Sequence, residues 1–347
     1  MGSARLSWLL APWHVAALAT GAKSFRDNPV IGSPALNRAG LHVARVRLAH
    51  RMAEWRRQRL SALISQEDRR TFERDGFILK PDFLPAAEYT ALKEQVLSFR
   101  GPVRHQLQGD ALTRRIALDH RTLAKLPALQ AMVDSSEWLG LVRYVGSYML
   151  EPQIYIQTIF SHVRQAPPDP QTRLHADTFH PSVKAWFFLT DATEEDGPFI
   201  YAPGSHRPTR RRLSWERRAS MTAAHSLDFQ SSRGSLRITP ETVRRLGFGE
   251  PKAFAVPQNT LVVADTVGFH ARGLSARPSL RLEIWAYGRR NPFLPWLGLD
   301  PSALPLVKGR AVPLYWSAMD VVEKLRLSGN PWQNAGTATP IEYPAVH

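Results

Sequence analysis

The chain contains no cysteine, which excludes disulfides, zinc–thiolate sites and cysteine nucleophiles together. Internal repeats and low-complexity tracts are also missing. The apolar stretch within the first twenty residues is broken by Ser7, Pro12 and His14, and falls short of the ~20 apolar residues that span a bilayer. Negative charge is scarce: 30 acidic residues face 45 Lys and Arg, so the formal charge is 45 − 30 = +15. That imbalance says little about fold but favours anionic partners. A membrane surface or a phosphorylated substrate fits better than nucleic acid. What remains is ample for a core, with 44% apolar residues and ten tryptophans in 347 residues. Single cores stop growing near ~250–300 residues, so one large domain with additions at its ends is expected.

The most informative motif is His175-Ala176-Asp177 with His270 downstream. Two imidazoles and one carboxylate on one face of a ferrous ion leave the opposite face open for a co-substrate and O2. Residues i and i+2 of a strand point the same way, so His175 and Asp177 can grip one ion. Taken alone, His-x-Asp reads equally well as two polar side chains on the solvated face of a strand. Arg281 follows His270 by eleven residues, within the alternating stretch from Ser279 to Tyr287, which reads as a strand. An inward strand arginine needs a carboxylate, and the distal carboxylate of 2-oxoglutarate would be a planar bidentate partner.

These residues, together with Asp196-Gly197-Pro198-Phe199, Ala202-Pro203-Gly204-Ser205-His206 and Asp75-Gly76-Phe77-Ile78, resemble the phytanoyl-CoA dioxygenase family of Fe(II)/2-oxoglutarate oxygenases. The resemblance covers roughly residues 65 to 290. It implies a mainly β fold with surrounding helices, built on a double-stranded β-helix (jelly-roll, cupin-like) core. It also implies Fe(II) on His175, Asp177 and His270, with 2-oxoglutarate and O2 as co-substrates and Arg281 as carboxylate anchor. Gln157 and Trp186 match positions that line the co-substrate pocket in relatives; an outward glutamine and a core tryptophan are the alternatives. Arg272 departs from the pattern, because many relatives place a small hydroxyl residue there. It would take over the co-substrate contact, face the substrate or point outward. Halogenating relatives replace the carboxylate with a small residue, so Asp177 favours hydroxylation.

Three regions follow along the chain. Residues 1–64 form a basic helical extension. Arg5 and Ala17-Leu18-Ala19 permit an export signal, but an interfacial segment anchored by Trp8 and Trp13 fits the interrupted pattern better. One helix is expected over residues 37–64, capped by Asn37, with a stripe of Leu41, Ala44, Leu48, Met52 and Trp55. Its arginines form either a solvated face or an attachment to anionic lipid. Residues 65–290 form the catalytic domain, with helices at 66–75 and 85–99 and strands at 153–163, 184–190, 198–201, 260–265 and 280–287. Residues 291–347 carry eight prolines and read as a surface strap with one short helix, Ser317 to Leu327.

Arg207, Arg210, Arg211 and Arg212 fall directly after Pro-Gly-Ser-His, on what reads as a loop by the barrel mouth that either meets phosphates or carboxylates of the substrate or is a solvated surface run. The leading expectation is a cytoplasmic hydroxylase of an anionic, lipid-linked or phosphorylated substrate, with peripheral attachment to the inner face of the cytoplasmic membrane as an option the basic extension offers. Hydroxylases of the lipopolysaccharide sugar Kdo resemble this family and supply the specific candidate. An acyl-CoA, another lipid or a soluble metabolite is the alternative substrate. A non-catalytic metal-containing jelly-roll is the alternative class.

Overall fold

In the antiparallel strands of this protein the pleat sorts side chains to two faces, and both faces are buried. A computed structural model describes residues 12–300, 304 and 307–344. Its strands are β1 (Phe77–Lys80), β2 (Gly101–Gln108), β3 (Ala111–Ala117), β4 (Gln153–Phe160), β5 (Val183–Phe188), β6 (Phe199–Tyr201), β7 (Lys252–Phe254), β8 (Leu261–Asp265), β9 (His270–Arg272), β10 (Leu280–Gly288) and β11 (Gln333–Ala338). Eight of them form one sheet in the order β1-β8-β5-β10-β4-β3-β2-β11, and three form a second in the order β7-β6-β9. The two sheets make the jelly-roll.

Along β10, Leu282, Ile284 and Ala286 belong to the large cluster that buries Leu92, Val96, Trp138, Leu141 and Val145 of the outer helices. Trp285, from the other face, joins Tyr155, Trp186 and Phe199 between the sheets. Arg281 shares that inner face, as strand alternation requires. The strands expected from the sequence are present with ends shifted by one to three residues, as are the helices Gln66–Asp75 and Ala86–Ser98. The β2–β3 hairpin was not anticipated. Its turn is Gly109-Asp110 between the pairs Gln108↔Ala111 and Leu107↔Leu112, a two-residue hairpin signal.

The N-terminal extension departs from the single helix expected. Ser33 caps a short helix, Pro34–Ala39, by accepting from Leu36 N. Gly40 then turns the chain at φ 106° into a second helix, Leu41–Arg59. Asn37 is no cap: it is buried, and its amide donates to Ile31 O and Ser220 O. The docked face of the second helix carries Val43, Val46, Ala49 and Ala53 with His42, Arg45 and Arg56, while Leu48 and Trp55 are exposed. Arginines can be buried there because carbonyl-rich loops use their five donors. Arg45 donates to Leu18 O, Thr20 O and Ala22 O; Arg56 donates to Ser147 O, Pro292 O and Leu294 O. His42 Nε2 lies 2.8 Å from the buried Glu216 carboxylate, whose other oxygen accepts from Arg212 at 2.8 Å. Trp8 lies outside the described residues. No helix among the described residues is long and apolar enough to cross a membrane.

The C-terminal region contributes more than a strap, because β11 pairs with β2 and extends the large sheet. Its helix is Ala311–Lys324, beginning six residues before the one expected. Pro313 falls in the first turn, where the missing N–H costs no hydrogen bond.

Burial makes this body acid-sensitive. It pushes His50 and His180 down to about 3 and His105 down to about 4, from an ordinary value of 6.5. The unfolded chain therefore binds more protons than the folded one as pH falls from 6.5 toward 3, and stability is lost over that window. The melting temperature should drop steeply between pH 7 and pH 4.5 in a calorimetric series. A pH-independent melting temperature across that range would contradict the buried neutral histidines.

Candidate metal centre

The site is built where the loop before β5 meets β9. His175 and His270 form an antiparallel bridge, each backbone N–H donating to the other's carbonyl at 2.9 Å, while Asp177 N donates to Thr266 O at 3.0 Å. His175 thus lies in an extended segment held by isolated bridges to His270 and Arg237 rather than in a strand. The alternation that puts His175 and Asp177 on one side still operates. Their ligand atoms and that of His270 all lie within 4.8 Å of one another. Asp177 Oδ1 is 3.6 Å from Nε2 of both histidines.

The hydrogen bonds around these rings test whether a metal fits. His175 Nδ1 is 2.8 Å from Arg173 O, and His270 Nδ1 is 2.9 Å from Gly268 O. Carbonyls only accept, so both Nδ1 atoms carry the proton and both Nε2 atoms present lone pairs. His270 Nε2 is buried without a partner among the described residues. A buried polar atom left this way is costly unless something binds it. Burial and the neighbouring His270 push His175 down to about 3, so it is neutral at physiological pH. Burial alone would raise Asp177, but Lys184 and the two histidines hold it well below the usual carboxylate range. Two imidazoles that present Nε2 lone pairs and one ionised carboxylate suit Fe(II). Lys184 Nζ lies 2.6 Å from Asp177 Oδ2, which leaves Oδ1 as the oxygen directed at the histidines.

The triad lines a cavity of about 200 Å³ together with Gln157, Trp186, Arg272 and Arg281. Arg281 is buried, with Nε 3.0 Å from Glu283 Oε2 and one terminal nitrogen on Gly197 O. Glu283, two residues on along the same strand face, therefore supplies part of the countercharge that the sequence reading assigned wholly to 2-oxoglutarate. The other terminal nitrogen has no partner among the described residues. Gln157 bridges Arg115 Nε at 2.8 Å and Glu283 Oε1 at 2.6 Å. Trp186 packs on Phe199 with ring centroids 4.3 Å apart. Arg272 is held by Asp169 at 2.5 Å. Arg277 is a loop residue paired with Asp196 at 3.1 Å.

The arginines after Pro-Gly-Ser-His are not at this cavity. Thr209 caps a helix, Arg210–Thr222, by accepting from Arg212 N, so the expected loop begins a helix. Its first turn directs Arg212 into the body, where it bonds Glu216 and Val267 O at 2.8 Å. Arg210 and Arg211 are exposed, and Arg207 lines a separate cavity beside His50 and Tyr144. Residues overlooked in the sequence line the iron cavity instead. Lys184 shares a strand face with Trp186, a signal that was available. Arg115 lies on the unanticipated β3, with its guanidinium 3.9 Å from the Trp285 ring centroid. Burial pushes Arg115 down to about 10, so it stays charged.

His175→Ala, Asp177→Ala and His270→Ala should each reduce bound Fe(II) from one per chain to near zero after desalting, with unchanged circular dichroism. Retention of stoichiometric iron by any of the three would remove that residue from the metal centre.

Residues 72–240 match the model of the phytanoyl-CoA dioxygenase (PhyH) family. That span includes His175 and Asp177; His270 and Arg281 lie beyond it and are brought to the site by the fold. No curated protein sequence matches the chain. Among solved structures, HygX from Streptomyces hygroscopicus, with nickel and 2-oxoglutarate bound, is similar at 20% identity over 65% of this chain and 87% of its own, with TM-score 0.40. SnoK from nogalamycin biosynthesis, a non-heme α-ketoglutarate-dependent carbocyclase, is 19% identical over 66% of this chain and 84% of its own, with TM-score 0.40. EctD from S. alaskensis, with 2-oxoglutarate and 5-hydroxyectoine, is 16% identical over 65% and 77%, with TM-score 0.38. The family match and the geometry of the triad carry the assignment, and these distant folds add no weight to it. Residues 72–240, just under half of the chain, are similar to the phytanoyl-CoA dioxygenase family, and with the His175–Asp177–His270 site the chain is an iron- and 2-oxoglutarate-dependent oxygenase.

Proposed function

We propose that the protein is a hydroxylase of an anionic, lipid-linked or phosphorylated substrate, working at an anionic membrane surface. The observation that carries this reading is the charge of the iron cavity. Its lining holds Arg115, Lys184, Arg272 and Arg281, and the carboxylates paired with them are Asp177, Asp169 and Glu283, so the cations stay in excess. His175, Asp177 and His270 would hold Fe(II), and Arg281 would anchor 2-oxoglutarate. Together with O2 these supply an oxidative decarboxylation coupled to hydroxylation. The chain's own contribution is orientation. Backbone carbonyls fix the histidine tautomers, Lys184 fixes the aspartate, and Glu283 fixes Arg281. Intact Asp177 favours hydroxylation over halogenation. The cavity is small against the ~300–1,000 Å³ of sites that engulf a drug-sized ligand. Only the reacting end of a large substrate would enter, with the rest held at the mouth. A phosphorylated, lipid-anchored sugar such as lipopolysaccharide Kdo fits that division.

Membrane contact is supported by the outer face of the helix Leu41–Arg59. Ala44, Leu48, Arg51, Trp55 and Arg59 recur there at helical spacing and are all exposed, with the Arg59 guanidinium 3.4 Å from the Trp55 ring centroid. Exposed apolar side chains interleaved with arginines suit shallow insertion beside lipid phosphates, each arginine contributing ~1 kcal/mol near an anionic surface.

Two measurements test these halves separately. Arg281→Ala should raise the 2-oxoglutarate requirement for succinate formation steeply, since losing one side of a buried carboxylate contact costs ~2–5 kcal/mol. Arg277→Ala should have little effect, and the reverse ranking would move the anchor. In flotation with phosphatidylglycerol vesicles at low salt, the intact protein should rise with lipid and Leu48→Glu/Trp55→Glu should not. Equal flotation of both, or of neither, would remove this helix as the attachment.

A further inference from the structure

The N-terminal extension reaches the iron centre itself. Lys23 Nζ donates to the backbone carbonyl of Asp177, a residue 154 positions away in sequence. The segment carrying it is closely seated. Phe25 N and Arg26 N both donate to Ser232 O at 3.0 Å. Arg45 clamps the carbonyls of Leu18, Thr20 and Ala22. Gly234, at φ 86°, is tied to this path, because a Cβ there would lie 2.2 Å from Lys23 O.

Around Asp177 this seat gathers cations. Lys184 Nζ is 2.6 Å from Asp177 Oδ2, and Lys23 has Asp177, Arg289, Lys184 and Arg237 as its charged neighbours. Arg289 follows the end of β10 directly, is exposed, and makes no hydrogen bond or ion pair among the described residues. Tyr287 connects the group: it pairs with Lys184 across β10 and β5 and feels the charges of both Arg289 and Asp177. An ammonium has three donors. Lys23 and Lys184 each have one described partner, so donors remain on both. The one carboxylate among these cations is already engaged by Lys184 and directed at the metal position. Like charges held this close repel, and an incoming oxyanion is the group that would offset them.

We propose that Lys23, Lys184 and Arg289 form the subsite for an oxyanion of the primary substrate, a phosphate or a carboxylate, beside the iron. The N-terminal extension is then part of the substrate site as well as a docked helix. This rests on the oxygenase reading and goes beyond it by naming the residues that select the substrate. It also places anion recognition on Lys23, Lys184 and Arg289 instead of the arginines after Pro-Gly-Ser-His.

The test uses the full chain loaded anaerobically with Fe(II) and 2-oxoglutarate, titrated calorimetrically with phenyl phosphate, benzoate and phenol. Phenyl phosphate or benzoate should bind and phenol should not; the tighter of the two anions identifies the group as phosphate or carboxylate. Lys23→Gln and Arg289→Gln should each weaken that binding roughly tenfold, as loss of one charge-assisted contact of ~1.4 kcal/mol implies. Arg210→Gln, exposed on its helix, should leave the affinity unchanged. Lys23→Gln risks loosening the N-terminal seat, whereas Arg289→Gln alters only an exposed side chain. Arg289→Gln therefore decides the matter on its own: unchanged binding in that variant overturns the subsite. Equal binding of phenol overturns it too. Succinate formation by the intact protein is read in parallel. Succinate without anion binding overturns the subsite and leaves the oxygenase reading standing, whereas no succinate overturns the oxygenase reading itself.

Discussion

Asp177 is the point on which the structure depends. Its carboxylate must stay ionised and present one oxygen to the metal position while buried among side chains that would otherwise leave it stranded. Burial opposes the charge; Lys184 on one oxygen and the two imidazoles beside the other outweigh that penalty. The backbone is fixed just as firmly, with Asp177 N bonded to Thr266 O and its carbonyl taken by Lys23. A buried charge is tolerated only when paired and hydrogen-bonded, and here each partner comes from a different part of the chain. The N-terminal segment, β5 and the turn before β9 must all be in place before the ligand set is complete.

The same logic organises the inner face of the large sheet. Arg115, Gln157, Glu283 and Arg281 form a continuous chain of hydrogen bonds across three neighbouring strands. Networks of this kind depend on each bond being made, and register secures the three that link these side chains. Arg115 sits opposite Gln157, and Gln157 sits opposite Glu283. A slip of one residue would turn these charges into the apolar outer cluster. The sheet therefore separates two environments, an apolar outer layer that supplies stability and a polar inner layer that lines the cavity.

Much of this was legible from local pattern. The His-x-Asp spacing, the later histidine and the strand arginine pointed to residues that the fold brings to one cavity, because each signal spans only a few residues. Alternation located five strands for the same reason. Contacts across long sequence distances carried no such signal. Nothing around Lys23 marks it as a neighbour of Asp177, and the helix Leu41–Arg59 misled because it buries Arg45, Arg56 and His42 while exposing Leu48 and Trp55. Amphipathic reasoning assumes that arginines face water; here loop carbonyls take the place of water. The arginines after Pro-Gly-Ser-His misled in a related way, since a threonine cap turned the expected loop into a helix and Arg212 into a core ion pair.

The central claim is that this site couples oxidation of 2-oxoglutarate to O2 through a metal held by His175, Asp177 and His270. Mass spectrometry of succinate formed under isotopically labelled O2 tests it most directly. One labelled oxygen atom should appear in each succinate, because oxidative decarboxylation places one atom of O2 in the new carboxylate. Succinate without label, or labelled succinate formed equally well by the His270→Ala protein, would contradict the account.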